Sequence, residues 1–347
     1  MRRPVIAFRT KGGATVGLGH LRRCLTLALE LEKNGVAVHF VVNREPLVLQ
    51  FVGAHGFDVV DVGESDAFDL HETLEIIQRW RGDVLVVDSY DVPGGCLEKV
   101  MGTVLVTVID DLADRPLPVD LVINGRIDAS KLEYRGLPRT EFLLGPKYVL
   151  LRDGFALEPK RQIRQRIERI LITVGGMDAF SLTPQLIDWT REALSAVAID
   201  VVVGPFFTGD SGDQSDALAK RDGPVAVHRD PPDIHRLMLA CDLAITGGGQ
   251  TTYELAATGT PAVAIRLVDN QTGNLSGLSA KGALTWVGDV QDADLREQVV
   301  RILMALSRHC DRRRAMSLSG RLLVDGLGAK RVAQAILTRI IREHVRE

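Results

Sequence analysis

Short runs of consecutive apolar residues, many of them β-branched, recur along this chain. Between the runs, apolar positions fall three and four residues apart. The run VIAFRT (Val5 to Thr10) predicts a buried strand. After it, Leu21, Cys24, Leu25, Ala28 and Leu31 mark one face of a helix, and Asn34-Gly35 predicts a left-handed cap at its end. The runs VAVHFVV, FDVVDV, DVLVVD, TVLVTVID and DLVIN read as further strands, separated by helical stretches such as LHETLEIIQRW. Strands without polar alternation, joined by helices, imply a parallel sheet covered on both faces. The pattern restarts at RILITVGG (Arg169 to Gly176), with LTPQLIDWTREAL as a helix and AIDVVVG, DLAIT and PAVAI as strands. The charged segment Leu151 to Arg169, which carries Gly and Pro, reads as the linker. The expected organisation is therefore α/β. Two Rossmann-like, doubly wound parallel-sheet domains, 1–157 and 158–347, face a central cleft, and the second ends in an amphipathic packing helix, GAKRVAQAILTRIIREHVRE. In such sheets ligands sit beyond the carboxyl ends of the strands, so the loops that follow strands are the ones to inspect.

Composition narrows the partners. The 347 residues are 46% hydrophobic and 25% charged, with a formal net charge of -3. That profile is globular, and it lacks the basic excess with which a nucleic-acid binder displaces counterions. Cys24, Cys96, Cys241 and Cys310 form no CxxC pair, which fits a reducing cytoplasm. The apolar part of MRRPVIAF is too short for a signal peptide, and no apolar run is long enough to span a membrane. The sequence does not bear on oligomeric state.

Six loops carry candidate chemistry. In TKGGATVGLGH (Thr10 to His20), Gly12 and Gly17 have P-loop spacing, but Leu18 stands where a lysine is required. The dinucleotide fingerprint fails because Arg22 occupies its last glycine position. What remains is a flexible loop, with Gly17 and Gly19 letting backbone approach a ligand, that ends in His20 at a helix N-terminus. The helix dipole there disfavours imidazolium, and a neutral imidazole suits a general base; the alternative is a histidine that merely lines a turn. Asp88 and Tyr90 follow a buried strand in VVDSYDVP. Tyr90 is placed to bond a sugar or assist a proton transfer, and Asp88 either meets a ligand or caps the next helix. Asp110 and Asp111 in VIDDLAD lack a third ligand, so no metal is expected and they read as turn formers. Gly175 and Gly176 in VGGMD offer amides to an anion, with Asp178 as a cap. In ITGGGQTTYELAATGTP, the glycines Gly247, Gly248 and Gly249 lead into a helix through Gln250, Thr251 and Thr252. Bare amides at that start form a diphosphate site, and Glu254 is placed to accept ribose hydroxyls or else faces solvent. In VDNQTGN, the amides of Asn270, Gln271 and Asn274 suit sugar hydroxyls or water.

Taken in order, GxGHxxRC, DxY, GGxD, GGGQTTYELAATGTP and NQ resemble the UDP-sugar hydrolase family of pseudaminic acid biosynthesis, the PseG type, and LLGPKYVLLRDGF looks like its interdomain signature. The resemblance runs from about Val5 to about Trp286. It implies the GT-B fold, shared with the transferase that completes lipid II. It also implies His20, Tyr90 and Asn270 as catalytic residues, and a diphosphate held at Gly247 to Thr252 with Glu254 near the ribose. The remaining expected contacts are Gly17, Gly19, Arg22, Asp88, Gly175, Gly176, Gln271 and Asn274. The implied partners are a UDP-amino sugar, UDP-2,4-diacetamido-2,4,6-trideoxy-β-L-altropyranose in that family, and water. No cofactor is implied. Met177 and the region after Gly288 depart from compact members. The rival readings are a glycosyltransferase with a UDP-sugar donor and a non-enzymatic nucleotide-sugar sensor.

Overall fold

The computed structural model describes residues 2–13, 17–63, 70–156, 161–204, 207 and 224–346. The chain separates into two compact units, residues 1–152 with 327–347 and residues 153–326.

The first unit is a seven-stranded parallel sheet. Its strands are β1 (Val5–Thr10), β2 (Ala37–Asn43), β3 (Asp58–Val62), β4 (Val84–Asp88), β5 (Leu105–Ile109), β6 (Leu121–Asn124) and β7 (Glu141–Leu144), in the spatial order β3-β2-β1-β4-β5-β6-β7. The helices are α1 (Gly19–Lys33), α2 (Pro46–Gly53), α3 (Leu70–Trp80) and α4 (Gly94–Val100). The expected strands are all present; the apolar runs of β1, β4 and β6 are buried on both faces, whereas β3 at the sheet edge is largely exposed. Helix α1 buries His20, Leu21, Cys24, Leu25, Ala28 and Leu31 on one side. It ends as the sequence predicts: Gly35 has φ +82°, and its amide donates to Glu32 O at 2.9 Å. The order reverses between β1 and β4, which pair through Thr10 and Asp88. The crevice at such a reversal is where doubly wound sheets take ligands.

The second unit repeats the plan with six strands, β8 (Arg169–Thr173), β9 (Ala198–Val203), β10 (Val225–Arg229), β11 (Leu243–Gly247), β12 (Ala262–Arg266) and β13 (Thr285–Asp289), in the order β10-β9-β8-β11-β12-β13. Its reversal lies between β8 and β11. The helices are α5 (Leu182–Ala193), α6 (Ile234–Ala240), α7 (Thr251–Thr258), α8 (Thr272–Ala280), α9 (Leu295–Arg308) and α10 (Cys310–Leu323). Among the described residues, no helix is long and apolar enough to cross a membrane.

Two boundary expectations need correction. The expected break at 157/158 lies outside the described residues, and the units divide at Arg152/Asp153. The expected linker is packed against the protein in part. Leu151 and Phe155 are buried. Arg161 donates to Met238 O, Thr260 Oγ1 and Cys241 O, and Arg164 donates to Asp242 Oδ1. These arginines serve carbonyls left over around the end of α6, which is why a charged stretch lies against the protein.

The second correction concerns the terminal helix α11 (Gly328–Arg346), which belongs to the first unit, not to 158–347. It packs on α1 and on the turn Pro146–Tyr148. Ala329, Val332, Ala333, Ile336 and Ile340 form its buried stripe. Arg331 donates to Lys147 O at 3.0 Å and Arg339 to Arg139 O at 3.0 Å. Gly328 lies so close to the Val149 carbonyl that no side chain fits there. Truncating Ile336 to Ala should destabilise the first unit by about 2–5 kcal/mol. Hydrogen exchange followed by mass spectrometry would then show lost protection in α1 and β7, with β8 to β13 unchanged. Loss confined to the second sheet would contradict this docking.

Candidate functional site

In the first unit the loop after β1 is pinned at its stem. Gly17 N donates to Gly13 O at 2.7 Å, and Gly13 N donates back to Gly17 O at 3.2 Å. Both glycines have positive φ, +132° at Gly13 and +77° at Gly17. Asn43, at the end of β2, accepts from Gly12 N and donates to Gly12 O, both at 3.0 Å. The residues between, Ala14 to Val16, lie outside the described set. Gly19 opens α1 with free space where a Cβ would be. His20 then sits in the first turn, 9% exposed.

Its partner is Asp88, the last residue of β4. Asp88 Oδ1 lies 2.6 Å from His20 Nδ1. Arg23, one turn further along α1, grips the same carboxylate at both oxygens, Nε to Oδ2 at 2.6 Å and Nη2 to Oδ1 at 2.6 Å. Its third nitrogen, Nη1, donates to Asp111 Oδ2 at 2.7 Å. Tyr90 donates its hydroxyl to the same Asp111 oxygen at 2.8 Å, and its ring meets the His20 ring edge-to-face with centroids 4.6 Å apart. Burial by itself raises the Asp88 pKa, but the charge of Arg23 and then His20 outweigh it and hold the carboxyl well below its ordinary range. Asp88 is therefore ionised and accepts only, so Nδ1 of His20 carries the proton in that contact. Arg23 Nη2, 3.1 Å from the same nitrogen, is then a neighbouring donor rather than a bonded one. In the neutral ring Nε2 is left with its lone pair. Burial and then Asp111 raise the Tyr90 pKa far above the ordinary phenol range, so Tyr90 keeps its proton.

The sequence-predicted residues His20, Asp88 and Tyr90 are thus together, but Asp88 needs correction. It is fully buried, with both oxygens occupied, and orients His20 instead of touching a ligand. Arg22 was expected at the site; the guanidinium in the cluster is that of Arg23. The signal was present, since positions three apart share a helix face and the arginine of GxGHxxRC is Arg23. Asp110 is a turn former as read, taking the Leu112 and Ala113 amides on Oδ2. Asp111 belongs to the cluster and was missed. Among the described residues no three His, Cys, Asp or Glu side chains gather as a metal site.

The second unit holds the other expected residues. Gly175, at φ +121°, and Gly176 follow β8 with open space at both Cβ positions. Asp178 caps α5, accepting from the Leu182 and Thr183 amides at 2.8 Å each. After β11, a side chain at Gly247 or Gly248 would strike Leu267 or Leu275, whereas Gly249 has no atom nearer than Gln271 Nε2 at 4.0 Å. The Gly248 amide is not bare: Gln271 Oε1 accepts from it at 3.2 Å and from Leu267 N at 2.9 Å. Asn274 donates to Gly248 O at 2.6 Å and to Thr252 Oγ1 at 3.0 Å. Thr252 in turn donates to Gly249 O at 2.7 Å. Gln271, Asn274 and Thr252, expected as ligand contacts, therefore tie the glycine turn to α8. The diphosphate expectation narrows to the amides of Gly249 and Thr251 near the start of α7. Gln250 precedes that start, Glu254 is half-buried on the first turn, and Asn270 is exposed on the single helical turn after β12.

No family model matches this sequence. An uncharacterized protein of Methanocaldococcus jannaschii is 27% identical over 277 residues, 75% of this chain and 55% of that protein. The spore coat polysaccharide biosynthesis protein SpsG of Bacillus subtilis is 24% identical, with 96% of this chain and 98% of that protein covered. The UDP-2,4-diacetamido-2,4,6-trideoxy-beta-L-altropyranose hydrolase of Campylobacter jejuni is 25% identical over 185 residues, 52% of this chain and 64% of that protein. The chain thus spans little more than half of the first of these. It is a distant relative of these proteins, at the level of a family relation. Its backbone is similar to MurG of Acinetobacter baumannii, with TM-score 0.67, 16% identity, and 97% of this chain and 100% of that chain covered. It is also similar to the calicheamicin glycosyltransferase CalG4, with TM-score 0.65, 17% identity and 99% of each chain covered. The fold is that of the GT-B glycosyltransferases.

Two outcomes follow for the site. The native Asp88 pKa is lowered, so its stabilisation is complete above the ordinary aspartate value of about 3.9 and is lost as pH falls through the native value. The melting-temperature gap between wild type and Asp88→Asn should therefore narrow below about pH 4; a gap that stays constant as wild type begins to unfold would refute the charge assignment. In the second unit, Gly248→Ala should destabilise by about 1–3 kcal/mol through overpacking, while Gly249→Ala stays within about 0.5 kcal/mol. Denaturant titration separates the two.

Proposed function

We propose that this chain hydrolyses a nucleotide-activated sugar, a UDP-linked diacetamido-trideoxy sugar of the kind named for the Campylobacter relative. The observation that carries the reading is the imidazole of His20, fixed through Nδ1 on a buried, ionised carboxylate. That arrangement leaves Nε2 as a base of defined direction at the sheet reversal, and orientation of a base by a second group is the usual logic of an activated nucleophile. His20 Nε2 takes a proton from water, and the water oxygen bonds to the anomeric carbon. The bond from that carbon to the diphosphate oxygen breaks, and UDP leaves with the electron pair. The second unit binds the nucleotide, with the amides of Gly249 and Thr251 meeting the diphosphate charge, Glu254 near the ribose and Asn270 at the sugar. Tyr90, always protonated, acts by hydrogen bonding and not as a base.

His20→Ala should lower release of free sugar by about 10²- to 10⁴-fold while UDP still binds. Turnover in ¹⁸O-water should place the label in the sugar rather than in UDP. Near-normal turnover by the variant would remove His20 from the role of base. Turnover that appears only when an alcohol acceptor is added would make the chain a glycosyltransferase.

A further inference from the structure

His20 and Tyr90 both hand a proton inward. The imidazole donates its Nδ1–H to Asp88, and the phenol donates its O–H to Asp111. One guanidinium holds both receiving carboxylates, since Arg23 spends Nε and Nη2 on Asp88 and Nη1 on Asp111. Carboxylates accept and do not donate, and an arginine is never the acceptor, so turning either proton toward a ligand would take a donor from a carboxylate oxygen. What the touching pair of rings has left to offer is lone pairs, one on His20 Nε2 and the others on the Tyr90 oxygen, on a residue 39% exposed. Two neighbouring acceptors with no donor between them suit a molecule that brings two protons. Water brings two. An alcohol brings one and so makes one hydrogen bond fewer to the pair.

We propose that Arg23 and Asp111 are positioning residues that, acting through Asp88 and Tyr90, make the His20–Tyr90 pair a two-acceptor seat for the attacking water and so select water over an alcohol. This rests on the hydrolytic reading and names the origin of its selectivity. The same four side chains would serve a transferase poorly, because its acceptor hydroxyl carries a single proton.

Partition of product in dilute methanol reads the seat, as the ratio of methyl glycoside to free sugar formed from one UDP-sugar. Wild type should give free sugar almost alone. Asp111→Ala removes the acceptor that holds the phenolic proton, which is then free to turn outward, so the seat becomes one acceptor and one donor. The methyl glycoside ratio should then rise about fivefold, the size of one net hydrogen bond. Tyr90→Phe, which removes one acceptor, should move the ratio in the same direction. A merely structural role lowers turnover in both variants and leaves the ratio unmoved; that result overturns the seat alone. The ¹⁵N shifts of the His20 ring need no substrate. Wild type should show a protonated Nδ1 and a bare Nε2, retained in Arg23→Lys and mixed in Arg23→Met. A wild-type ring protonated at Nε2 overturns the wiring. A ring with the expected protonation in a protein that releases no sugar overturns the hydrolytic reading, and the seat's role with it.

Discussion

The first unit depends on one ion pair being possible where it stands. Asp88 ends a strand in the middle of a parallel sheet with no exposed surface. A lone carboxylate there would take up a proton instead of bearing the cost of burial. Arg23 changes the outcome because its planar fork meets both oxygens at 2.6 Å, and a lysine in its place would offer a point charge without that match. With the carboxylate charged, the orientation of His20 follows, since an acceptor-only group at 2.6 Å decides which ring nitrogen carries the proton. Arg23 is itself largely shielded from solvent, yet Asp111 and Asp88 hold its proton more firmly than desolvation loosens it. Each member of the set is tolerable in the interior only because the others are present.

The two units place their loops by the same rule and use them differently. In each sheet the order reverses beside the first strand, at β1/β4 and at β8/β11, and the loops leaving those strands open into a crevice that the topology creates. In the first unit the crevice is lined by ionisable side chains that settle one another's protonation. In the second it is lined by backbone. Gln271 Oε1 and Asn274 Nδ2 hold Gly248, and the turn they fix leaves open space at Gly249, with no atom nearer than Gln271 Nε2 at 4.0 Å. Polar side chains there shape a surface made of peptide groups, an arrangement suited to an anion that must be met by several amides at once.

What the sequence made legible follows from what kind of force decides each feature. The strands were readable because burial on both faces writes itself as uninterrupted apolar runs, as in VLVVD and RILIT. The end of α1 was readable because Gly35 needs a left-handed conformation. The terminal helix was assigned to the wrong unit, because its apolar stripe says that it packs and not against which sheet; that is decided by α1 and by the close passage of Gly328 beside Val149. Arg161 and Arg164 read only as part of a charged linker, because a charge count does not show which carbonyls lack donors. His20 was found from its place in a glycine loop. Arg23 was passed over for Arg22 because two adjacent arginines look alike until helix periodicity assigns one of them to the face of His20. Asn and Gln in a loop have the same signature whether they bind a ligand or a neighbouring peptide group, so the hold of Gln271 and Asn274 on the glycine turn was not legible from spacing.

The fold likeness bounds what the scaffold can decide. Glycosyltransferases such as CalG4 share this backbone at TM-score 0.65, so two doubly wound sheets do not choose the group that attacks the sugar. The choice belongs to a few side chains that can change without disturbing the sheets. His20 alone does not make it, because an imidazole lone pair takes a proton from water and from an alcohol equally well. The distinction has to come from whatever meets the second hydrogen of the nucleophile. In this chain the side chain against His20 is Tyr90, and Tyr90 has lone pairs to offer because its hydroxyl donates to Asp111, which Arg23 holds. Under the proposed reaction, the ion pair that orients His20 is joined through one guanidinium to Tyr90, the group that would meet the second hydrogen of the nucleophile.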